Sequence, residues 1–449
     1  MSELKALAQQ LVTRCLDAGA TAAEIYLSEG TESEVSVRDG VVDTLTSGQP
    51  RSVGIRVWRK NRSASTTGTD FSEATLKTLI DDAVELAQLS DPVDGITLAP
   101  KDRLAKQIPD LDLFDSTHLQ RSMDEKIALA VAAEKAAMTA DQRITVSGGA
   151  SYSDGTHHYA LATSDGFAGE AKSSWAAMGV QVIADDSDHR KRNGSWYSVA
   201  RFADGLLPPE EIGQRAAKRA VEQLGAGPIP TETLPVVFDP YMAASLFGAL
   251  FGAISGGAIE RGSSYLADAE GTAIASPLVT LIDDPTLPRA LGSRPFDGEG
   301  LPSKRTVFIQ DGVLQSFALN TYSANKLGRT PTGHASRPSS GAPGEGASNL
   351  FIQPGAASPD ELIAGVKRGF YCQSMMGFGF NPATGDFSRG ATGFLIEDGK
   401  LTRPVSEVTL SGNYKEMLMN IDGVANDLVM DRSVCSPTLR IRSMTLAGT

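Results

Sequence analysis

The feature that most constrains this 449-residue chain is a long stretch without any charged residue. Residues 241–259 contain no Asp, Glu, Lys or Arg, and the run is nearly as long as the ~20 residues that a helix needs to cross a bilayer. Six of these positions are glycine or serine. Neither flank, Asp239-Pro240 or Glu260-Arg261, has the excess of Lys and Arg that marks the cytoplasmic side of a membrane span. We therefore predict a buried helix, with Asp239 as its N-cap and Pro240 in its first turn, rather than a membrane span.

The rest of the chain alternates between helical and strand patterns. Helical spacing of apolar residues predicts helices near residues 4–18, 70–89, 123–138 and 209–224, and short alternating segments between Gly or Asp-Gly turns predict antiparallel strands. Gly-Ala-Gly-Pro-Ile-Pro at residues 225–230 is the strongest break. We predict an α+β fold of two domains: an N-terminal α/β domain (1–226) with antiparallel strands and helices, and a mostly antiparallel β domain (231–449) with one buried helix.

Charge and cysteine content limit the classes of function. The chain has 54 acidic and 41 basic residues, a net charge of −13, which disfavours direct binding to nucleic acid because such binding requires a basic surface. The three cysteines, Cys15, Cys372 and Cys435, lie far apart and match neither a disulfide framework nor a zinc knuckle. Together with the absence of an apolar leader, this predicts a cytoplasmic protein.

Few residues carry chemistry that the sequence alone can assign. Of five histidines, His334 is notable because it lies in a Gly-, Pro- and Ser-rich loop, residues 328–346, for which we expect no regular structure. No histidine or cysteine lies near it at a zinc spacing. The acidic pairs Asp283-Asp284 and Asp297/Glu299 could hold a hard cation, but turn-forming carboxylates are commoner. From these patterns the task of the protein stays open.

A family resemblance goes further. The C-terminal half contains Ala-Ser-Pro-Leu-Val-Thr-Leu-Ile-Asp-Asp at residues 275–284, Phe-Asp-Gly-Glu-Gly at 296–300, Gly-Phe-Asn-Pro-Ala-Thr-Gly at 379–385 and Val-Ala-Asn-Asp-Leu at 424–428. These segments resemble the TldD/PmbA (TldE) proteins, known as modulators of DNA gyrase and zinc peptidases. The N-terminal half matches more loosely, so the resemblance extends over nearly the whole chain.

The resemblance also identifies a departure. In the TldD branch, a helix upstream of the Ala-Ser-Pro segment carries His-Glu-x-x-x-His, which binds zinc together with a C-terminal cysteine. Here the matching hexapeptide is residues 251–256, with Phe251 and Gly256 in place of the histidines and Gly252 in place of the glutamate. Cys435 matches the cysteine, but one thiol cannot hold zinc alone. The chain therefore resembles the PmbA/TldE branch, which lacks the motif, and we expect no catalytic residue and no bound metal in it.

What the resemblance implies for function is a subunit of a heteromeric metallopeptidase. A TldD-like subunit would carry the zinc, and the assembly would process extended peptides, including microcin-type precursors and antitoxins, with an indirect effect on gyrase. His334 and Arg337 are candidates for contact with peptide in the chamber. A peptidase with an unrecognised site and a peptide-binding protein without a proteolytic partner remain alternatives, and a homodimer of the isolated chain fits all three.

Overall fold

A computed structural model describes residues 2–117, 120–187, 189–337 and 341–448. In these ranges its first half contains one seven-stranded antiparallel sheet and four α-helices. The strands are β1 (Ala22–Arg38), β2 (Val41–Gly48), β3 (Arg51–Arg59), β4 (Arg62–Gly68), β5 (Ile144–Thr163), β6 (Ala168–Asp185) and β7 (Lys191–Ala200). They run in the order β4-β3-β1-β5-β6-β7, and β2 pairs with the second half of β1. The helices are α1 (Glu3–Asp17), α2 (Glu73–Leu89), α3 (Met123–Thr139) and α4 (Pro209–Val221).

Two pairs of helices cover one face of this sheet. Along β1, Ala23, Ile25 and Leu27 share a core with α1 and α2, whereas Val35 and Val37 share a core with α3 and α4. Alternate residues of a strand project to the same side, so the odd-numbered residues of β1 place both cores on one face. The helices bury that face because their own apolar stripes follow the 3.6-residue period.

The other face of the sheet contacts the second half of the chain. Tyr26 and Leu161, on adjacent strands, form a buried cluster with Phe167 and with Phe296 of the second half. The Tyr159 ring lies between them, with its centroid 5.7 Å from that of Tyr26 and 5.5 Å from that of Phe296. The start of β1 is therefore buried on both faces.

The second half is rich in strands, which we number in chain order. They are β8 (Glu232–Phe238), β9 (Leu281–Asp283), β10 (Thr306–Gln310), β11 (Val313–Leu314), β12 (Ala335–Ser336), β13 (Gly344–Glu345), β14 (Leu350–Ile352), β15 (Arg368–Met376), β16 (Asp386–Glu397), β17 (Lys400–Asn413), β18 (Ile421–Val424), β19 (Val434–Cys435) and β20 (Leu439–Ala447). The order β17-β16-β15-β8-β20 closes into a barrel because β17 also pairs with β20. A second sheet has the order β11-β10-β9-β14-β19.

Five helices complete this half: α5 (Pro240–Ala253), α6 (Gly256–Glu260), α7 (Thr321–Lys326), α8 (Pro359–Ala364) and α9 (Tyr414–Met419). Helix α5 contributes to the largest core, which it shares with the barrel and with the second sheet. The α+β fold, with an α/β first half and a β-rich second half around a buried helix, is confirmed. Its division into domains 1–226 and 231–449 stays a prediction.

The uncharged run forms two helices rather than the single helix that we predicted. Asp239 and Pro240 begin α5 as expected, and the Asp239 side chain accepts a hydrogen bond from the Met242 N–H. The helix then stops, because Ser255 is extended and the Gly256 N–H donates to the Ala318 carbonyl at 2.7 Å. Within the described ranges, no helix is both long and apolar enough to cross a bilayer.

The Gly-rich loop, residues 328–346, differs from the expectation of no regular structure. Its two arms pair as β12 and β13, with Ala335 opposite Glu345 and Ser336 opposite Gly344. Residues 338–340, at the tip, lie outside the described ranges. The composition was a poor guide because two-residue strands need only two backbone pairs, which glycine and serine can supply.

Candidate functional site

Helix α5 has a closed side and an open side. We call the closed side the face formed by its buried residues, which include Ala243, Phe247, Leu250 and Phe251. Several residues of α5 keep solvent exposure, and we call the open side the four of them that follow a spacing of four, three and four: Tyr241, Ser245, Gly248 and Gly252. This spacing places them on one face of the helix.

On the closed side, Phe251 begins a row of rings through the core. Its side chain is only 7% exposed, and its ring packs edge to face on Phe308 with centroids 5.7 Å apart. The Phe308 ring in turn lies 4.9 Å from the imidazole of His334. Phe251 is therefore a packing residue.

The two glycines of the hexapeptide have opposite surroundings. A β-carbon added at Gly252 would meet nothing within 4 Å, so this position faces open space. One added at Gly256 would lie 2.6 Å from the Ser323 β-carbon and 2.7 Å from a methyl of Leu319. No side chain fits at Gly256 unless α7 moves.

Cys435 lies near α5 but is not available as a ligand in this arrangement. It is buried on β19, and its thiol contacts the Arg432 carbonyl oxygen at 3.2 Å. Burial raises the pKa of the Cys435 thiol to about 11, which keeps it neutral at physiological pH.

These positions do not fit a zinc ion. Zinc sites in proteins use three or four imidazole, thiolate or carboxylate donors. The hexapeptide supplies a phenyl ring and two hydrogens, and the only donor at the matching positions is the neutral thiol of Cys435. Across the described residues, no three His, Cys, Asp or Glu side chains gather as a metal site would require.

His334 lies in the core rather than on an exposed loop. Its ring is 1% exposed, and its Nδ1 is 2.8 Å from the Thr332 hydroxyl. Its Nε2 is 3.4 Å from an Asp283 carboxylate oxygen but makes no hydrogen bond. The loop composition did not indicate this burial, because the residues that surround His334, Phe308 and Asp283, belong to other elements of the fold. A peptide cannot reach His334 unless the core opens.

Arg337 joins the two halves of the chain. Its guanidinium donates to a Glu24 carboxylate oxygen at 2.6 Å and to the Gly298 carbonyl oxygen. The pair is almost fully buried, and Arg56 lies 3.9 Å from the same carboxylate. Burial of such a pair is favourable only when both partners are present, so Arg337 has a structural role here in addition to lining a cavity beside the first sheet.

The two acidic pairs bind backbone groups, as turn carboxylates do. Asp284 accepts from the Thr286 N–H, Asp297 accepts from the N–H groups of Glu299 and Leu301, and Asp283 accepts from the Ser348 N–H. Glu299 accepts from the N–H and the hydroxyl of Thr321 at the start of α7. Burial, and then the neighbouring Asp297, raise the pKa of Glu299 to about 8.

Sequence patterns did not indicate the exposed hairpin beside α5. The loop between β15 and β16 leaves Met376 59% exposed and Phe378 fully exposed. The hairpin adjoins the open side, because the Arg389 guanidinium is 3.5 Å from both the Ser245 hydroxyl and the Met375 carbonyl oxygen. An apolar ring in this position was visible in the sequence only as Gly377-Phe378-Gly379, which carries no signal of exposure.

Comparisons with known proteins agree with this fold along the whole chain. Sequence profiles described as PmbA/TldA metallopeptidase domain 1, central domain and C-terminal domain match residues 23–87, 118–224 and 231–448. Metalloprotease PmbA of Escherichia coli O157:H7 is 34% identical over 429 residues, which cover 95% of this chain and 92% of that protein. The chain belongs to the PmbA/TldD family.

Other members of the PmbA/TldD family are similar over comparable lengths. The Metalloprotease PmbA homolog of Haemophilus influenzae is 30% identical over 99% of this chain and 96% of its own length. The crystal structure of a candidate modulator of DNA gyrase from Bacteroides thetaiotaomicron superposes with a TM-score of 0.93 at 30% identity and covers 100% of both chains. TldE of Thermococcus kodakarensis shares the fold, with a TM-score of 0.89 at 23% identity over 98% of this chain and 99% of that chain.

Proposed function

We propose that this chain is the non-catalytic subunit of a TldD/TldE-type heteromeric metallopeptidase. In this proposal a TldD-like subunit supplies the zinc, and the present chain helps to enclose a chamber in which extended peptides such as microcin-type precursors and antitoxins are cleaved. Any effect on gyrase follows from the peptides that are processed. The three free and buried cysteines are compatible with a cytoplasmic assembly.

One observation carries the proposal: the segment that resembles the zinc-motif helix of the TldD branch spans the end of α5 and the start of α6 here and carries no metal donors. Phe251 fills the core where an imidazole would be needed, and Gly256 has no room for any side chain. The neighbouring Cys435 is neutral and buried. A helix with these residues can support a neighbouring active site, but it cannot bind zinc itself.

The open side of α5 supports a role in contact with another backbone. Glycine in a helix interior costs about 0.5–1 kcal/mol relative to alanine. The packing of this chain does not require glycine at either position. An added β-carbon would make only an ordinary 3.9 Å contact with Val434 at Gly248, and it would meet nothing within 4 Å at Gly252. Glycines that the chain's own packing does not require are explained by the close approach of a peptide or a partner chain.

The hairpin beside this surface provides an apolar contact for a partner. A fully exposed phenylalanine next to a half-exposed methionine is unusual on a monomer's surface, and aromatic side chains supply much of the binding energy of protein interfaces. The backbone of this hairpin is anchored, because the Phe380 ring packs on Tyr414 with centroids 4.3 Å apart. The exposed Phe378 is thus held at a defined position.

Mixing experiments test the proposal directly. The chain and a TldD-like subunit from the same genome should form a stable complex that buries roughly 2,000 Å² or more, and an unstructured peptide should be cleaved only in that complex. Replacing the partner's zinc-binding histidines should abolish cleavage without dissociating the complex. A TldD-like subunit that is fully active alone and does not bind this chain at micromolar concentrations would contradict the proposal.

Single substitutions locate the interface. Phe378→Asp should weaken the complex at least tenfold, because a charge replaces an apolar anchor. Leu89→Asp is the matched control, since Leu89 is 74% exposed at the end of α2, a helix that packs on the first sheet. If both variants lose binding equally, or if neither loses it, the hairpin is not part of the interface.

The alternatives give different results in the same experiments. A peptidase in its own right would cleave the peptide without a partner and would contain zinc that chelation removes together with activity. A peptide-binding protein without a proteolytic partner would bind the peptide but leave it intact in every mixture. A homodimer in the absence of the partner would still be consistent with the proposal if the partner displaces one copy.

A further inference from the structure

A cavity between the first sheet and the second half of the chain combines an aromatic wall with several cations. Its volume is about 220 Å³, and none of the residues that line it belongs to α5. The rings of Tyr26, Tyr159 and Phe296 form part of the wall, and the guanidinium groups of Arg294 and Arg337 form another part. This arrangement is notable in a chain whose net charge is −13.

Arg294 has the least satisfied cation in this cavity. One of its terminal nitrogens donates to the Gly346 carbonyl oxygen at 3.2 Å. Its Nε is buried and has no hydrogen-bond partner, and no carboxylate oxygen of the described residues lies within ion-pair distance of it. Arg294 is partly buried, and withdrawing its Nε from water without a partner is costly, so the site favours a ligand that supplies a negative charge.

Among the described residues no charged group around the cavity forms an ion pair with Arg294, although Asp297 is near enough for the two charges to attract each other. Arg337 is paired with Glu24. Asp297, the only carboxyl group in the wall, already accepts three backbone N–H groups, and burial raises its pKa above the usual range. Lys172 is exposed at the rim and adds positive charge there. The field inside the cavity therefore attracts anions.

We propose that this cavity binds a small organic carboxylate with an apolar or planar body, its charge held by Arg294 and its body packed against Tyr26, Tyr159 and Phe296. A guanidinium binds a carboxylate through two parallel hydrogen bonds, and aromatic rings pack on a planar group at little conformational cost. The carboxylate belongs either to a free small acid or to the C-terminal residue of a peptide. The site is separate from the surface around α5, and its test needs no partner subunit.

Calorimetric titration of the full-length chain at fixed ionic strength and pH 7 tests the proposal. N-acetyl-L-phenylalanine and its uncharged amide differ only at the carboxyl group. We expect saturable binding of the acid and at least tenfold weaker binding of the amide. Equal binding of the two, or no saturable binding of the acid, would overturn the proposal, as would inorganic phosphate binding as tightly as the acid.

Variants place the binding in this cavity. Arg294→Met should weaken binding of the acid at least tenfold, and Lys172→Gln should weaken it about threefold. Arg442→Met, at an Arg side chain that is 70% exposed on β20, should have no effect. If Arg294→Met does not fold, the exposed Lys172→Gln variant and the comparison of acid with amide still test whether the cavity binds the carboxylate. Unchanged affinity in Lys172→Gln and in any folded Arg294→Met would overturn the assignment.

Two further ligands identify the source of the carboxylate. Phenylacetate represents a free small acid, and a tetrapeptide of three alanines followed by phenylalanine represents a peptide C-terminus. Binding of phenylacetate alone assigns the cavity to a free acid, whereas binding of both assigns it to chain ends. Failure of both, with the acetylated amino acid also inactive, overturns the proposal.

Discussion

The two sides of α5 differ in what limits the size of their side chains. On the closed side, Phe251 fills a space bounded by Phe308, and Gly256, just beyond the helix, is pressed against α7. On the open side, Gly248 and Gly252 are small although the fold leaves room for larger residues. The small residue on the closed side is thus explained by packing within this chain. The fold itself does not explain the glycines on the open side, which we assign to contact with another molecule.

Under the proposed function, this contrast separates two ways in which a chain can lack the zinc motif. A site that had only lost its ligands would keep space for them, and single substitutions could restore donors. Here the position of Gly256 is closed by Ser323 and Leu319. The closed side therefore serves packing, whereas the open side leaves a surface that, under the proposed function, contacts a second molecule.

The largest effect should come from placing a charge on the closed side. Phe251→Asp leaves an unpaired buried carboxylate and should lower the free energy of unfolding by about 3–5 kcal/mol. Gly252→Asp, one residue later on the open side, should cost less than about 1 kcal/mol. Urea unfolding followed by circular dichroism measures both. Similar losses in the two variants would mean that the sides are not distinct.

A pH dependence should come next, because Glu299 accepts two hydrogen bonds from Thr321 in the first turn of α7, the helix that packs on Gly256. Its folded pKa of about 8 lies above the value of about 4.3 expected in the unfolded chain. The stabilisation is therefore complete below about pH 4 and is lost as the pH rises through 8. Relative to Glu299→Gln, the native chain should lose about 3 kcal/mol between pH 5 and 8. Urea unfolding across this pH range measures the free energy of unfolding of both proteins. The prediction is wrong if the two free energies depend on pH in the same way.

Adding a methyl group at Gly256 should have a smaller cost. The new carbon would lie within 2.7 Å of Leu319, so Gly256→Ala should destabilise the chain by about 1–3 kcal/mol through overpacking. The double variant Gly256→Ala with Leu319→Ala relieves part of the contact and should cost less than the sum of the two single changes. Thermal unfolding of the four proteins provides the comparison, and strict additivity would show that the two positions do not press on each other.

The smallest effect on stability should have the opposite sign. Gly248→Ala, on the open side, should raise the free energy of unfolding by about 0.5–1 kcal/mol because alanine favours the helix. The same substitution should reduce peptide cleavage by the complex with a TldD-like subunit, since the added methyl group fills the surface that we assign to another backbone. A variant that is both more stable and fully active would argue that the open side contacts nothing.

Much of the fold could be predicted because local signals agreed with it. The Asp-Gly turn after β1 was predicted as a hairpin, and both Asp39 and Gly40 have positive φ, at 53° and 75°. The apolar run predicted a buried helix with the correct first residue. Its end could not be predicted, because the break at Ser255 accompanies a hydrogen bond from the Gly256 N–H to the carbonyl of Ala318, which is far away in the sequence.

The candidate site was predictable only where a resemblance fixed the positions. Phe251, Gly252 and Gly256 could be named in advance, but their different surroundings depend on α7 and on Phe308. His334 was expected in a loop without regular structure, as a candidate for contact with peptide, yet tertiary contacts bury it. The exposure of Phe378 and the unsatisfied Arg294 also depend on tertiary placement, which no spacing of residues encodes.

The double burial of β1 has a consequence for synthesis on the ribosome. The first sheet is complete once Ala200 has emerged, but the ring that covers Tyr26 and Tyr159 is Phe296, 96 residues later (296 − 200). At about 5–20 residues per second, the interval is roughly 5–20 s. During that time the nascent chain presents an aromatic surface to solvent, so this protein should be a client of chaperones that act at the ribosome exit, and slower synthesis of the second half should lower its yield.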